Sequence, residues 1–246
     1  MRGLILALGF LTRIPVPALK DFKPEELPRA ARWFPLVGII LGGLLAVAVG
    51  LGLSVDPWLA ALLGVGAWIL LTGGLHADGL ADLADGLGAA HRDPQRLLAV
   101  MRDPHVGSFG VLALVLVVVA KLILLMLLAL GAGMGGGWIG PLLLIPAWGR
   151  LGAMVWAKVL PPLASGSGER FGWEIAGATL FGWLGALLLL SLLLAPALLL
   201  APLWLVAWWI FLHRRLGGMS GDALGAGVEI VEVGLLLTVV LLEGAG

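Results

Sequence analysis

Asp78, Asp82 and Asp85 stand in the run His76-Ala-Asp-Gly-Leu-Ala-Asp-Leu-Ala-Asp-Gly86. Their spacing is i, i+4 and i+7, so on a helix they fall within about 60° of one another. Like charges at this spacing repel even when exposed, and the repulsion grows beside a membrane. A divalent cation relieves it. Oxygen ligands in a chain without cysteine suit Mg²⁺, Mn²⁺ or Ca²⁺ better than zinc. Gly79 and Gly86 leave room for a ligand or a second backbone. His76 can serve as a base, a phosphate partner or a ligand. The plainer reading is a solvated helix with an acidic face, but acids are scarce elsewhere in the chain.

Two further stretches carry related chemistry. In Met101-Arg-Asp103-Pro-His105-Val-Gly107-Ser-Phe-Gly110, glycines frame the start of an apolar run. The N–H groups and positive dipole of a helix N-terminus suit an anion, and Arg102 and His105 add charge. A capped turn with Ser108 as the cap is the alternative. In Gly217-Gly-Met-Ser220-Gly221-Asp222-Ala-Leu-Gly-Ala-Gly-Val-Glu229, Asp222 and Glu229 share a helix face. The glycine-rich start resembles a phosphate-cradling loop but lacks the Lys-Ser/Thr ending of a P-loop. Close helix packing by small residues explains it equally simply. Glu232 falls on a neighbouring face.

These segments must be held by membrane helices. Of 246 residues, 61% are hydrophobic and 12% charged, too few charges for a surface facing only water. Lys and Arg balance Asp and Glu at 15 each, so no nucleic-acid partner is indicated. A membrane helix needs about 20 apolar residues. Seven spans are expected, at 35–53, 58–75, 109–130, 138–159, 175–194, 197–212 and 228–242. They form one all-α domain, 1–246, with an N-terminal segment that is retained and amphipathic or half-inserted. Arg2, Arg13, Lys20, Lys23, Arg29 and Arg32 precede the first span. The other basic residues fall in alternate connections: Arg92, Arg96 and Arg102, then Lys158 and Arg170, then Arg214 and Arg215. The remaining connections carry none. This alternation places the N-terminus and all the polar motifs in the cytoplasm.

Lys121 and Arg150 fall inside spans, where a central charge costs about 2.5–3.5 kcal/mol and so usually faces an interior cavity. Either suits anionic oxygens or an acidic partner, and the planar fork of Arg150 matches phosphate. Arg13 lies in a proline-bounded segment, as a topology determinant or a ligand contact. Trp33, Trp58, Trp138, Trp156, Trp173, Trp204, Trp208 and Trp209 read mostly as interfacial anchors.

In order along the chain come Phe10-Leu-Thr-Arg-Ile-Pro15, Phe34-Pro-Leu-Val-Gly38, the aspartate run, Met101-Arg-Asp-x-x-x-Gly107-x-x-Gly110 and Gly217-Gly-x-Ser-Gly-Asp222-x-Leu-Gly-Ala226. This ordered set resembles the cobalamin synthase family, the adenosylcobinamide-GDP ribazoletransferases, over nearly the whole chain. The family often has Thr where this chain has Ser220.

The resemblance implies a Mg²⁺-dependent enzyme of the bacterial inner membrane with its site toward the cytoplasm. It implies joining of adenosylcobinamide-GDP to α-ribazole or α-ribazole 5′-phosphate, with release of GMP. On that expectation Asp78, Asp82 and Asp85, with Asp222 and Glu229, hold metal. Asp85 or His76 takes the proton of the attacking hydroxyl. Arg13, Arg102, Asp103, His105 and Gly107 belong to the substrate-binding set, as do Lys121, Arg150, Ser220 and Gly221. The small residues of the spans are compatible with a homodimer. A CDP-alcohol phosphotransferase is the nearest rival, but its pattern carries Ala-Arg where this chain has none. A transporter is the second, but its charges would lie at mid-membrane on broken helices in two matching halves.

Overall fold

The computed structural model describes residues 2–18, 26–90, 93–132, 136–163 and 175–243. Among these, helices dominate: α1 Arg2–Leu11, α2 Leu27–Ala31, α3 Phe34–Leu53, α4 Pro57–Thr72, α5 Leu75–Ala89, α6 Pro94–Val100, α7 Ser108–Ala132, α8 Ile139–Val159, α9 Gly177–Leu194, α10 Ala201–Arg215 and α11 Gly221–Glu243. A 3₁₀ turn, Pro196–Leu200, leads into α10. Six helical stretches are long and apolar enough to cross a membrane. The continuation from α4 into α5 raises the number to seven at most, and it bends by 86°. Lys20, Lys23, Arg92, Arg170 and Trp173 lie outside the described residues.

The second expected span therefore stops early. Asp56 starts α4, its carboxylate accepting from the N–H groups of Trp58 at 2.7 Å and Leu59 at 2.9 Å, with Pro57 in the first turn. Gly73 and Gly74, both with positive φ, end it. Residue 75 belongs to the next helix and not to the span.

Two bare-backbone crossings organise the bundle. At the first, a Cβ on Gly38 would lie 2.6 Å from the Pro146 carbonyl oxygen, and one on Gly42 would lie 2.7 Å from Leu143 Cα. Backbone thus meets backbone between α3 and α8, the small-residue packing that membranes favour. At the second, α11 offers glycines to indoles. A Cβ on Gly227 would lie 2.6 Å from the Trp156 ring, and one on Gly234 would lie 2.6 Å from Trp204. Trp156 is fully buried and donates to the Leu205 carbonyl at 2.9 Å, while buried Trp208 donates to that of Ala223 at 3.2 Å. These two tryptophans pack the core and do not act as interfacial anchors.

Outward faces carry exposed Leu44, Val47, Leu51, Leu62, Phe181, Leu189 and Leu193, apolar side chains suited to lipid. Only Leu187 and Ser191 of α9 are buried, and Ser191 accepts from Trp148 Nε1 at 3.1 Å. At one end of the bundle α1 lies against α3 through the stacked rings of Phe10 and Phe34, 6.1 Å apart.

Gly42→Val should overpack the α3–α8 crossing and lower stability by about 1–3 kcal/mol. Gly43→Val is the control, because a Cβ there meets only a Leu143 methyl at 3.9 Å. Thermal melting in detergent should separate the two; equal melting would contradict the crossing.

Candidate functional site

The break at Gly73–Gly74 turns α5 across the end of the bundle, outside the spans. Arg13 sits on this break. Its N–H donates to the Leu71 carbonyl at 2.7 Å, and its side chain occupies the space a Cβ of Gly73 would need, with Cγ 2.6 Å from that position. Along α5 the residue pattern then separates two faces. His76, Gly79, Leu80, Ala81, Leu83, Asp85 and Gly86 are buried, Asp78 is exposed and Asp82 is half-buried.

Gly79 and Gly225 allow α5 to lie directly on the start of α11. A Cβ on Gly79 would lie 2.7 Å from the Asp222 carbonyl oxygen and 2.8 Å from Asp222 Cα. A Cβ on Gly225 would lie 3.3 Å from His76 Cα. This contact brings Asp222 of α11 to Asp78 and Asp82 of α5. Asp82 registers the crowding: its carboxyl is pushed up to about 6, first by burial, then by the charges of Asp78, Asp222 and Asp85. A cavity of about 200 Å³ opens beside them, lined by His76, Asp78, Gly221 and Asp222 and walled by Phe10, Leu11 and Phe34.

The glycine-rich acidic stretch is mostly helix, not a cradling loop. Gly217 turns with φ 74°, Met219 pairs with Pro162, and α11 begins at Gly221. Ser220 caps it, its Oγ accepting from the Ala223 N–H at 3.1 Å.

Asp85 departs from the expected grouping. Its two carboxylate oxygens accept from the N–H of Gly107 at 2.7 Å and of Gly110 at 2.9 Å. The anion at the start of α7 is thus a side chain of the protein itself, and Asp85 does the capping expected of Ser108. Gly107 spends its N–H on Asp85, so that N–H does not serve a substrate phosphate. A Cβ on Gly107 would lie 2.9 Å from Asp85 Cγ. Asp85 ties α5 to the start of α7, with both carboxylate oxygens taken up by backbone N–H groups.

Glu229, expected as a metal ligand, is buried in the bundle and accepts from Lys121 Nζ at 2.8 Å. Lys121 also donates to Glu232 at 2.7 Å and lies 4.1 Å from the Trp68 ring centre. Glu232 is paired in turn with Arg150. Two cations and two anions, from α7, α8 and α11, thus neutralise one another inside the membrane. Lys121 and Arg150 are committed to carboxylates and are not available as phosphate ligands. Glu232, missing from the expected site, is the shared partner; the signal was its position one helical turn after Glu229. Arg102, Asp103 and His105 lie exposed in the loop before α7. There the Asp103 carboxylate accepts from the His105 backbone N–H at 3.0 Å and meets Nδ1 at 2.7 Å. These bonds hold its pKa below the ordinary value.

The test for Mg²⁺ rests on the donor set. Among the described residues no three His, Asp or Glu side chains converge at metal-holding distance. Mg²⁺ asks for less: one or two carboxylates, with water and phosphate oxygens completing its shell. Asp78, Asp82 and Asp222, mutually repelling beside a cavity, fit that requirement.

The class defined here is a multi-pass helical membrane protein with carboxylates from two helices gathered at one bundle end. A family model described as cobalamin-5-phosphate synthase matches residues 3–240, and the chain belongs to that family. A relative from Laribacter hongkongensis is 57% identical over 244 residues, covering 98% of this chain and 97% of its own length. One from Thiobacillus denitrificans is 52% identical over 239 residues, covering 96% and 94%. One from Novosphingobium aromaticivorans is 48% identical over 245 residues, covering 98% and 97%. All three are named adenosylcobinamide-GDP ribazoletransferase. No solved structure matches the chain.

Asp82 titrates near 6 in the folded chain against 3.8 ordinarily. The metal-free fold thus holds more proton than the unfolded chain between those values, and its stability falls as pH rises through about 6. Mg²⁺ should raise the melting temperature at pH 7.5 and have little effect at pH 5. A Mg²⁺ effect independent of pH would contradict the site. Asp85→Ala should keep that Mg²⁺ response, lose about 1–3 kcal/mol of stability, and speed hydrogen exchange at Gly107 and Gly110.

Proposed function

We propose that this chain is a Mg²⁺-dependent adenosylcobinamide-GDP ribazoletransferase of the bacterial inner membrane. Its substrates are adenosylcobinamide-GDP and α-ribazole or α-ribazole 5′-phosphate, and GMP is released. The reading is carried by full-length likeness to relatives of that name, joined to the carboxylates of α5 and α11 at one bundle end. Arg13, Arg29, Arg32, Arg96, Arg102, Lys158, Arg214 and Arg215 precede, follow or connect the spans at that same end. Connection 54–56 and the Pro196–Leu200 turn at the other end carry no basic residue. The positive-inside rule makes the basic end cytoplasmic, where the nucleotide-linked substrate would arrive.

The chemistry is phosphoryl-type transfer, which depends on positioning and charge neutralisation. Asp78 and Asp222, which line the cavity, would hold Mg²⁺ with Asp82 beside them. Bound there, Mg²⁺ supplies Lewis-acid neutralisation of diphosphate oxygens. A ribose hydroxyl oxygen of the ribazole attacks the cobinamide-linked phosphorus, the bond from that phosphorus to the bridging oxygen breaks, and GMP leaves with the oxygen. Asp82 accepts the hydroxyl proton. It is half-buried on α5, one helical turn after Asp78, which would hold the metal. Asp85 sets the height of α5 over α7. Arg13, at the bend beneath α5, offers positive charge to the phosphates.

The test is transfer by the purified protein in nanodiscs. Adenosylcobinamide-GDP, α-ribazole and Mg²⁺ should give GMP and the ribazole-bearing corrinoid. Asp82→Asn and Asp222→Asn should lower the rate by roughly 10²-fold or more. No GMP from the wild type, or CMP from a CDP-linked donor instead, would overturn the assignment.

A further inference from the structure

His76 has two neighbours that together settle its chemistry. It is buried in the first turn of α5, and it lines the small cavity with Asp78 and Asp222. Its Nδ1 lies 3.4 Å from Arg150 Nη2. A guanidinium has only N–H donors and no acceptor. An imidazole N–H pointed at it would set hydrogen against hydrogen. Nδ1 therefore carries the lone pair, and the proton of the neutral ring resides on Nε2.

Arg150 is fully buried, paired with Glu232, and donates to the Pro146 carbonyl at 3.3 Å. Glu232 is held in turn by Lys121, whose other partner is Glu229. Gly225 presses α11 against the backbone of His76. Arg150 of α8 thus meets the imidazole while α11 packs on the His76 backbone, and His76 lines the cavity with Asp78 and Asp222.

We propose that the Arg150–Glu232 pair locks His76 as its Nε2–H tautomer, and that this N–H donates to a non-bridging phosphoryl oxygen of a substrate seated beside Asp78 and Asp222. This rests on the reading above that a diphosphate-bridged substrate occupies the cavity. Asp78 and Asp222 have no hydrogen to offer a phosphate oxygen, and a donor fixed among them favours one orientation of it. His76 then acts as a hydrogen-bond donor and not as the base, so proton acceptance falls to Asp82. Arg150 and Glu232 are positioning residues: they act on the phosphate through His76.

The tautomer is read directly in wild-type protein. Histidine labelled with ¹⁵N at both ring nitrogens gives distinct pyrrole-type and pyridine-type shifts, and His76 is assigned by its loss in His76→Gln. The expected result is a protonated Nε2 and an unprotonated Nδ1; a protonated Nδ1 overturns the proposal. The donor role is read in turnover. A glutamine amide reaches the place of Nε2 and an asparagine amide only that of Nδ1. His76→Gln should keep kcat within about tenfold, and His76→Asn should lose roughly 10²-fold or more, the loss found for a single oxyanion donor. KM for the ribazole substrate should not change in either. Equal activity of the two variants, or the reverse order, overturns the donor role. The labelling result needs no substrate, so a wild type without ribazole transfer would sink the proposed function and leave the tautomer to stand or fall separately.

Discussion

A direction change forced on one helix governs the rest of the molecule. If α4 continued straight, the acids of α5 would project into water far from any other element. Two consecutive left-handed residues at Gly73 and Gly74 prevent this and lay α5 over the ends of α7 and α11. Only glycine takes such a pair of conformations cheaply. The same economy recurs where α5 lands. Gly79 and Gly225 remove the side chains that would hold α5 off α11, and Gly107 and Gly110 make room for the carboxylate of Asp85. The acids reach each other because the backbones touch.

Beneath this platform lies the quartet of Lys121, Arg150, Glu229 and Glu232. Charges within the bilayer are expensive singly, and removing one member of a buried pair costs about 3–5 kcal/mol. The quartet avoids that cost by being complete. It ties α7, α8 and α11 together at mid-depth, so the start of α11 meets α5 in one register. Arg150 links this layer to the surface, with Glu232 on one side and His76 on the other. The placement of α11 against α5 thus rests on ion pairs buried among α7, α8 and α11.

Much of this was legible in the residue order. Long apolar runs mark the spans, and the boundaries of α3, α7, α8 and α9 agree with expectation within two residues. The acidic run was visible because carboxylates are costly beside a membrane. Three features were not legible, for one reason. Helical spacing puts Asp85 on the same face as Asp78 and Asp82, but the face is wide and Asp85 lies at its edge toward α7. Asp222 and Glu229 share a face too, yet seven residues of helix is about 10 Å, enough to leave one at the surface and bury the other. Lys121 and Arg150 were recognisable as inward-facing, but their partner Glu232 lies far off in sequence. Periodicity describes one helix at a time, whereas each of these assignments depends on what a second helix brings.

The sharing of one cation site by α5 and α11 is most directly tested by Mn²⁺ titration followed by electron paramagnetic resonance. Wild-type protein in nanodiscs should bind Mn²⁺ in competition with Mg²⁺, and Asp78→Asn on α5 and Asp222→Asn on α11 should each weaken that binding at least tenfold. Unaltered Mn²⁺ affinity in Asp222→Asn would show that α11 contributes nothing to the site and would contradict the convergence of the two helices.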